Sequence, residues 1–325
     1  MSGYREPDLK GVRTVKFGDR PNKVDHTQLA RTPGADRSFH AFLDSLPHLL
    51  AADHLRMVAA AIVSAHRAGR GVVVLVGGHV LKVGLGPLFS DWIRQGIITH
   101  VAMNGAAAIH DYELAAFGGT SEDVERGLRD GTFGMAEETG SAMNAAINAA
   151  HARGQGLGEG LAESLFARPD LPGRDASVLL ACRDRNVPVT VHASIGAEII
   201  HQHPMADGAA LGQTSHRDFR RLAGSLPDLD SGGVVLNLGS AVVLPEVFLK
   251  ALTIARNLGG GKPAGFLAAD FDMIRQYRPR MNVVERPTRD GGTGLMITGH
   301  HEVMLPLLVW AVADLSRESG TGSRG

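Results

Sequence analysis

His110, Asp111 and Glu113 form the cluster of side chains best suited to chemistry in this sequence. An imidazole can take up a proton near neutral pH, and a carboxylate can hold an ammonium group. Both are needed when an amine is oxidised at the carbon that carries it, because the ammonium must be bound and deprotonated. The cluster lies where a helix is predicted to start, so Glu113 could instead stabilise the positive end of that helix.

Other segments of the chain offer further candidates for the same chemistry. Glu246 is another carboxylate for the ammonium, and His301 is an alternative to His110 as the base. Lysine is the residue that forms imines with carbonyl carbons, and Lys82 or Lys250 could take that role. Most lysines are nevertheless solvated surface charges, and that interpretation is favoured for both.

The histidines could also bind zinc or iron, since both metals accept imidazole ligands. The histidines with this potential are His192, His201, His203, His216, His300 and His301. No carboxylate spacing completes a familiar site such as His-Glu-x-x-His, so we predict surface histidines and no metal ligand. Cys182 lies in a helical apolar pattern, which predicts a buried small side chain rather than a nucleophile.

Short β-branched runs alternate with helical patterns, and these elements must position the candidate residues. The runs predict six strands, at 71–76, 99–103, 187–192, 233–238, 264–268 and 294–298. Helical spacing predicts helices at 52–68, 87–96, 107–117, 135–152, 216–225, 244–257 and 303–315. Such alternation is typical of an α/β protein with a doubly wound, mostly parallel sheet.

Ligands of such sheets bind beyond the carboxyl ends of the strands, where this sequence places small residues beside carboxylates and imidazoles. The loop after the first strand contains Gly77, Gly78, Gly84 and Gly86, whose backbone amides could cradle a phosphate. Their order matches neither a dinucleotide fingerprint nor a Walker loop. A plain strand-to-helix turn is therefore an equal alternative.

The overall composition argues against several classes of protein. The 325 residues carry 33 basic and 34 acidic side chains, so no global charge attracts nucleic acid or anionic lipid. We find no apolar run long enough for a membrane span and no secretory signal. The lone Cys182 fits a reducing cytoplasm. We expect an extended N-terminal arm over 1–36, one α/β domain over 37–316 and a disordered tail over 317–325.

Three stretches carry a family resemblance, namely Asn104–Ser121, Val234–Pro245 and Ile297–Leu308. Together they resemble the deoxyhypusine-synthase-like superfamily, in order along the chain. The resemblance implies a Rossmann-like doubly wound sheet, NAD as the cofactor, an amine or amino-acid substrate, and a homo-oligomer. In deoxyhypusine synthase that oligomer is a tetramer with its sites at a subunit interface. The first stretch also resembles the ornithine cyclodeaminase type of archaea and cyanobacteria.

The resemblance further implies which residues bind NAD, one group after each strand. They are Gly77, Gly78 and His79, then Asn104 and Gly105, then Ser194 and Gly196, then Gly239 and Ser240, and finally Asp270 and His300. The chain departs from deoxyhypusine synthase at the lysine that holds the aminobutyl group as an imine. The matching position falls near Pro287, and no lysine follows Lys262. This departure argues against true deoxyhypusine synthesis.

The expected function is that of an NAD-dependent transferase or lyase acting on C–N bonds, in polyamine or basic amino-acid metabolism. Hydride abstraction would give an imine, and transfer or cyclisation would follow. One alternative is an ornithine cyclodeaminase-type lyase, and another is a regulator that binds NAD without catalysis. A third alternative is a metal-dependent hydrolase that uses His201 and His203.

Overall fold

The computed structural model describes residues 3–321. The chain divides into two compact units, Met1–Leu49 and Leu50–Gly325. The arm, domain and tail that we expect have other boundaries, after residues 36 and 316, and these boundaries stay predictions. Residues 322–325 of the expected tail lie outside the described residues.

The first unit is largely extended. It contains short 3-10 turns at Leu9–Gly11, Phe17–Asp19 and His26–Gln28, and helix α1 at Phe39–Ser45. A capping box between Asp25 and Gln28 starts the third turn, and the Ser38 hydroxyl caps α1. Within residues 3–49, Leu43 is the one buried hydrophobic side chain.

The second unit contains a six-stranded sheet and its helices. The strands are β1 (Val72–Val76), β2 (His100–Asn104), β3 (Val189–His192), β4 (Val234–Leu238), β5 (Leu267–Asp272) and β6 (Thr293–Thr298). The helices are α2 (Leu50–Arg67), α3 (Gly78–Lys82), α4 (Gly86–Arg94), α5 (Gly105–Phe117), α6 (Val124–Asp130), α7 (Glu137–Ala152), α8 (Leu157–Phe166), α9 (Val178–Asp184), α10 (Gly208–Ser225), α11 (Val243–Leu258), α12 (Tyr277–Pro279) and α13 (His301–Thr321). A π-helical turn, Arg280–Glu285, follows α12, and 3-10 turns lie at Arg174–Ala176, Ile199–Gln202 and Leu226–Leu229.

All strand pairs are parallel, and the order in the sheet is β3-β2-β1-β4-β5-β6. This is the order of Rossmann sheets, in which the chain reverses its winding direction between β1 and β4. The predicted α/β fold with a doubly wound parallel sheet is confirmed. Because every strand points the same way, the segments that follow all six strands meet at one edge of the sheet.

Apolar side chains bury both faces of the sheet. Val73 and Val235 pack on one face against a cluster that includes Leu222 of α10 and Phe248 of α11. The intervening residues, such as Val74, are equally buried and point to the other face, where α2 lies on the sheet. No helix in the described part of the chain is long and apolar enough to cross a membrane.

The fifth strand differs most from its prediction. It was expected at 264–268, but β5 spans Leu267–Asp272. Gly265 has φ +66°, a left-handed conformation that suits the turn before the strand rather than the strand itself. Asp270 and Asp272 are therefore part of β5 and not of the loop behind it, a point that matters for the site below.

Candidate functional site

A cavity of about 750 Å³ lies beyond the carboxyl ends of β1, β2 and β3. Its walls come from the segments that follow these strands and from residues 119–139. Its charged and titratable lining consists of Lys82, His110, Glu113, Glu122, Glu138 and Glu198. The carboxylates of Glu113, Glu122 and Glu138 outnumber the one lysine, which favours a ligand that carries positive charge.

The turn from β2 into α5 aims three side chains at this cavity. The Asn104 side chain accepts the Ala107 N–H at 2.9 Å and so starts α5 at Gly105. On a helix, residues three or four apart share a face, and His110, Glu113 and Phe117 all line the cavity. Glu113 lies mid-helix, so the alternative that it stabilises the helix start is wrong.

Gly105 has a steric reason to be glycine. An added Cβ would lie 2.4 Å from the Glu198 side chain, which packs against the turn. Asn104 and Gly105, which the resemblance assigns to NAD, thus both serve the local fold. Glu198 reaches the cavity across this contact, although 93 positions separate it from Gly105 in the sequence.

A hydrogen-bond network joins His110 to Glu113 through Thr120. His110 Nδ1 lies 2.7 Å from Thr120 Oγ1, which donates to Glu113 Oε2 at 2.5 Å. Thr139 Oγ1 donates to the other carboxylate oxygen of Glu113 at 2.9 Å. Both residues of the predicted pair therefore belong to one polar network on the cavity wall.

Burial lowers the pKa of His110, and the nearby charges of Lys82 and His79 lower it further. The ring is consequently neutral at physiological pH and has one lone pair. Burial also lowers the pKa of His79, with smaller effects from His301 and Lys82. His79, His110 and Lys82 are thus close enough to influence one another's charge, and Glu302 and Asp272 act on His79 in the opposite sense.

Glu198 is buried beside His201. Burial raises the pKa of Glu198 to about 7, against hydrogen bonds from the Ser194 N–H to its two carboxyl oxygens. Burial also lowers the pKa of His201. Although Glu198 Oε2 lies 3.1 Å from His201 Nδ1, that nitrogen accepts the Gly196 N–H at 3.0 Å. Both shifts favour the neutral forms, so Glu198 and His201 are a neutral pair rather than an ion pair.

The protonation of Glu198 predicts a pH-dependent stability. A buried carboxyl whose folded pKa lies above its unfolded value favours folding at low pH, and this contribution is lost as pH rises from about 4.5 to about 7. Glu198→Gln keeps one oxygen that can accept the Ser194 N–H and removes the titratable carboxyl group. The free energy of unfolding of the variant should therefore fall less over this range than that of the wild type, by up to about 3 kcal/mol. Urea denaturation across this pH range measures it, and parallel curves for the two proteins would refute it.

Asp111 faces away from the cavity. Its carboxylate accepts hydrogen bonds from Ser177 Oγ at 2.7 Å and from the N–H groups of Val178 and Leu179 at 2.8 and 3.0 Å. Burial raises its pKa, and these hydrogen bonds oppose the rise. The carboxylate thus anchors the amino end of α9, so the structure does not place Asp111 among the groups that could contact a substrate.

A second set of predicted residues meets at the carboxyl ends of β1 and β4, where the winding of the chain reverses. We call it the strand-end cluster, and it consists of Gly77, Gly78, His79, Gly239 and His301. An added Cβ on Gly77 would lie 2.1 Å from the Gly239 carbonyl oxygen, and one on Gly239 would lie 2.8 Å from the His301 ring. An added Cβ on Gly78 would lie 2.8 Å from that of Ala106. Close packing explains these glycines, so they give no independent evidence for a phosphate cradle.

His301 lies at the end of this cluster with one nitrogen in use. Its Nε2 donates to the Phe271 carbonyl at 3.1 Å, and its ring centroid is 5.6 Å from that of His79. The buried Nδ1 has no partner among the described residues. His301 therefore belongs to the strand-end cluster, and it presents a lone pair rather than a proton there.

The remaining predicted cofactor residues are spread along the strand ends. Asp270 is buried within β5, where Asn237 Nδ2 donates to its Oδ1 at 2.7 Å and burial raises its pKa to about 7. The Ser240 hydroxyl accepts the Leu244 N–H at 3.2 Å. Gly196 has φ +90° with open space around it, and His300 is largely exposed.

Glu246 lies outside both groups of residues. It pairs with Lys250 and with Arg278, and it accepts a hydrogen bond from Asn282 Nδ2 at 2.8 Å. The hydrogen bond and charge of Lys250 lower the pKa of Glu246. Of the two lysines considered for an imine, Lys82 lines the cavity and Lys250 does not.

The histidines considered as metal ligands and Cys182 have clear positions in the structure. Among the side chains that the structure describes, no three from histidine, cysteine, aspartate or glutamate are close enough to share a metal ion. His201 and His203 lie in and directly after a 3-10 turn. Cys182 is fully buried in α9, which confirms the prediction for this residue.

Comparison with known proteins adds to this geometry. No protein-family model and no curated protein matches the chain. Among solved structures it is similar to the complex of AgrE with ornithine and NAD+, at 20% identity and a TM-score of 0.53, over 82% of this chain and 33% of AgrE. It is also similar to a candidate deoxyhypusine synthase from Entamoeba histolytica, at 11% identity and a TM-score of 0.51, over 88% of this chain and 98% of the other.

The chain has the deoxyhypusine-synthase-like fold. Identities this low show a shared fold, and they confirm the fold that the sequence motifs imply. The chain spans about a third of the AgrE chain that it matches. What AgrE binds is therefore a property of AgrE, and its bearing on this chain belongs to the proposal below.

One unpartnered side-chain atom at the strand ends bears on the fit to NAD. A dinucleotide carries ribose hydroxyls and a carboxamide, each of which can donate a hydrogen bond. The unpartnered Nδ1 of His301 is a buried acceptor, and the His301 ring packs against Gly239, directly after β4. Rossmann sheets bind this cofactor where the winding reverses, which here is between β1 and β4. The side chains present thus fit the cofactor that the resemblance implies.

Sequence reasoning missed Thr120, Thr139 and Glu198 as site residues. Thr120 lies within the stretch that carries the family resemblance, so its position next to the His-Asp-x-Glu cluster was an available signal. Glu198 follows β3 by a few residues, but nothing in its local sequence indicates that it packs against Gly105. Thr139 comes from α7, and no pattern links it to Glu113.

Proposed function

We propose that this protein is an NAD-dependent enzyme that oxidises a basic amino acid at the carbon bearing an amine, giving an imine for cyclisation or transfer. One observation carries the proposal. A cavity lined by Lys82, His110 and four carboxyl groups lies next to a strand-end cluster that contains His79 and His301. A cationic substrate would meet carboxylates in the cavity, and the hydrogen-bond donors of a cofactor would meet the unpartnered Nδ1 of His301.

The charges of the cavity favour a substrate with both signs. Glu122 and Glu138 are exposed on its wall and would bind a distal ammonium group. The Lys82 ammonium would bind a carboxylate. A basic amino acid has both groups, whereas a polyamine would leave Lys82 without a partner and facing like charge. This is the reason to prefer an amino acid over the polyamine that the sequence left open.

His110 is the proposed proton acceptor. Its Nδ1 is committed to Thr120, so the other ring nitrogen is available to the cavity that the side chain lines. Transfer of a proton from the substrate ammonium to that nitrogen would leave a neutral amine and an imidazolium. Loss of hydride from the adjacent carbon would then give a protonated imine, and the Glu113 carboxylate would stabilise the imidazolium through Thr120.

The cofactor would lie against the strand ends, with His301 Nδ1 accepting one of its hydrogen bonds and with His79 and His300 nearby. When bound, NAD would accept the hydride. AgrE, a protein with this fold, binds ornithine together with NAD+, which supports the same pairing of ligands here. No lysine is required for an imine if the reaction ends in cyclisation.

A substrate panel tests the proposed function. The protein is incubated with NAD+ and, separately, with ornithine, lysine, arginine, putrescine and spermidine, and reduced cofactor, ammonia and amine products are measured. We expect turnover of a basic amino acid, with ammonia release for a cyclodeaminase-type reaction and label transfer for a synthase-type reaction. Binding of NAD+ without turnover of any of these amines would instead favour a non-catalytic regulator.

A further inference from the structure

We propose that Thr120 is a positioning residue, which fixes His110 in the tautomer with its proton on Nδ1 and so leaves Nε2 as the proton acceptor. The tautomer itself follows from the hydrogen-bond network and does not require any ligand. Only the use of the free nitrogen rests on the proposed function.

Counting protons along the network gives the tautomer. As a carboxylate, Glu113 can only accept hydrogen bonds, so Thr120 must donate its single hydroxyl proton to Oε2, 2.5 Å away. The hydroxyl oxygen can then only accept at its other contact, the 2.7 Å contact with His110 Nδ1. That nitrogen therefore carries the ring proton, and Nε2 carries the lone pair.

Thr139 donates a hydrogen bond to the other oxygen of the Glu113 carboxylate. Its hydroxyl donates to Glu113 Oε1 at 2.9 Å, and its side chain is almost fully buried. Each oxygen of Glu113 thus has one hydroxyl donor. The two hydroxyl donors hold the carboxylate in one orientation, so Oε2 remains in place to accept the hydrogen bond from Thr120.

The backbone around Thr120 is shaped to bring this hydroxyl back to α5. The helix ends at Phe117, and Gly118 adopts φ +76°, which caps it and reverses the chain. Ser121, directly after Thr120, has φ +68°, a left-handed conformation that is unfavourable in a residue other than glycine. The strained residue thus lies directly beside the hydroxyl that contacts α5.

The tautomer of His110 decides whether the ring can accept a proton from a ligand in the cavity. A histidine free in water favours the opposite tautomer, with the proton on Nε2, which would present a donor to the cavity. A donor cannot take a proton from an ammonium group. By accepting from Nδ1, Thr120 converts the cavity side of the ring into an acceptor, in the way that a carboxylate sets the tautomer of a catalytic histidine elsewhere.

Nitrogen NMR on the ligand-free protein tests the tautomer directly. Protein labelled with 15N in its histidines is recorded at about pH 8, where the ring is neutral. The His110 signals are assigned by their loss in His110→Gln. We expect the wild type to carry the ring proton on Nδ1, and Thr120→Ser to do the same because it keeps the hydroxyl.

Thr120→Val removes the hydroxyl at constant shape and should shift the ring to a majority of the Nε2–H form. Thr139→Val is the matched control, since it makes the same chemical change at the same carboxylate but leaves the His110 contact intact, and its spectrum should resemble that of the wild type. A wild-type ring with its proton mainly on Nε2 overturns the proposal, whatever the fate of the variants. So does a folded Thr120→Val protein with an unchanged ring.

This experiment and the substrate panel fail separately, because the tautomer is measured without NAD or amine. Where the panel supplies a substrate, Thr120→Val should lower kcat by about 10²-fold with little change in KM, and Thr120→Ser should restore most of the rate. If Thr120 had a merely structural role, Thr120→Val would not move the ring proton, and serine would not restore the lost rate.

Discussion

Replacing His110 with glutamine is expected to lower kcat by about 10²- to 10⁴-fold, the usual contribution of a positioned general base. Glutamine can still hydrogen-bond to Thr120, so the cavity wall should keep its shape while the proton acceptor is lost. Steady-state kinetics with the amino acid identified by the substrate panel measures the effect. Binding of NAD+ should change little, because His110 lies in the cavity and not in the strand-end cluster.

His151→Gln is the matched control. His151 lies near the end of α7 and is exposed, and it does not line the cavity, so its variant should have the wild-type kcat. If His110→Gln kept more than about half of the wild-type rate, proton transfer would have to be assigned to another group. Glu198, which holds a proton on the same wall, would then be the next residue to vary.

Replacing Lys82 with methionine should distinguish between classes of substrate. We expect kcat/KM for ornithine to fall about 30-fold, because a charged hydrogen bond to the carboxylate of about 2 kcal/mol is lost. Putrescine has the same ammonium groups and no carboxylate. Its kcat/KM should change less than about 3-fold or rise, since the variant removes a repelling charge.

The pattern across the two amines is the informative result. An equal loss for ornithine and putrescine would show that Lys82 acts on the cofactor or on the chemistry and not on a carboxylate. Lys262→Met serves as the control, because Lys262 pairs with Asp230 and does not line the cavity. Its kinetics with both amines should match those of the wild type.

The fold could be predicted from the sequence because buried parallel strands have a strong signal. Runs such as 72–76 are entirely apolar and mostly β-branched, and each is separated from the next by helical spacing. The predicted position of the fifth strand is wrong because β5 ends with Asp270 and Asp272, and aspartates are more typical of loops than of buried strands. Asp270 is accommodated there by Asn237, its neighbour on β4, and no local pattern reveals that partner.

The His-Asp-x-Glu cluster shows where local reasoning failed and how it could have succeeded. Successive residues of a helix are turned by about 100°, which places Asp111 on the side of α5 away from the face that Ala106, Glu113 and Phe117 share with His110. His110 and Glu113 share a face, and both line the cavity. The helix period therefore indicated that Asp111 would lie elsewhere, and the structure shows it anchoring α9.

The strand-end glycines illustrate a different limit. From the sequence alone, a phosphate cradle and a tight turn are equally good interpretations of Gly77 and Gly78. The structure shows that added Cβ atoms would collide with Gly239 and Ala106, so packing within the chain is sufficient reason for both glycines. The pairing of segments far apart in the chain, as in Gly105 with Glu198, depends on the assembled sheet and has no counterpart in local sequence.

A crystal structure of the protein with NAD+ and ornithine tests the central claim most directly. We predict the cofactor at the carboxyl ends of β1 and β4, within hydrogen-bonding distance of His301 Nδ1. We predict the amino acid in the adjoining cavity, with its carboxylate at Lys82 and its reacting amine at His110 Nε2. An ornithine bound outside that cavity, or a cofactor that leaves the strand ends empty, would contradict the account.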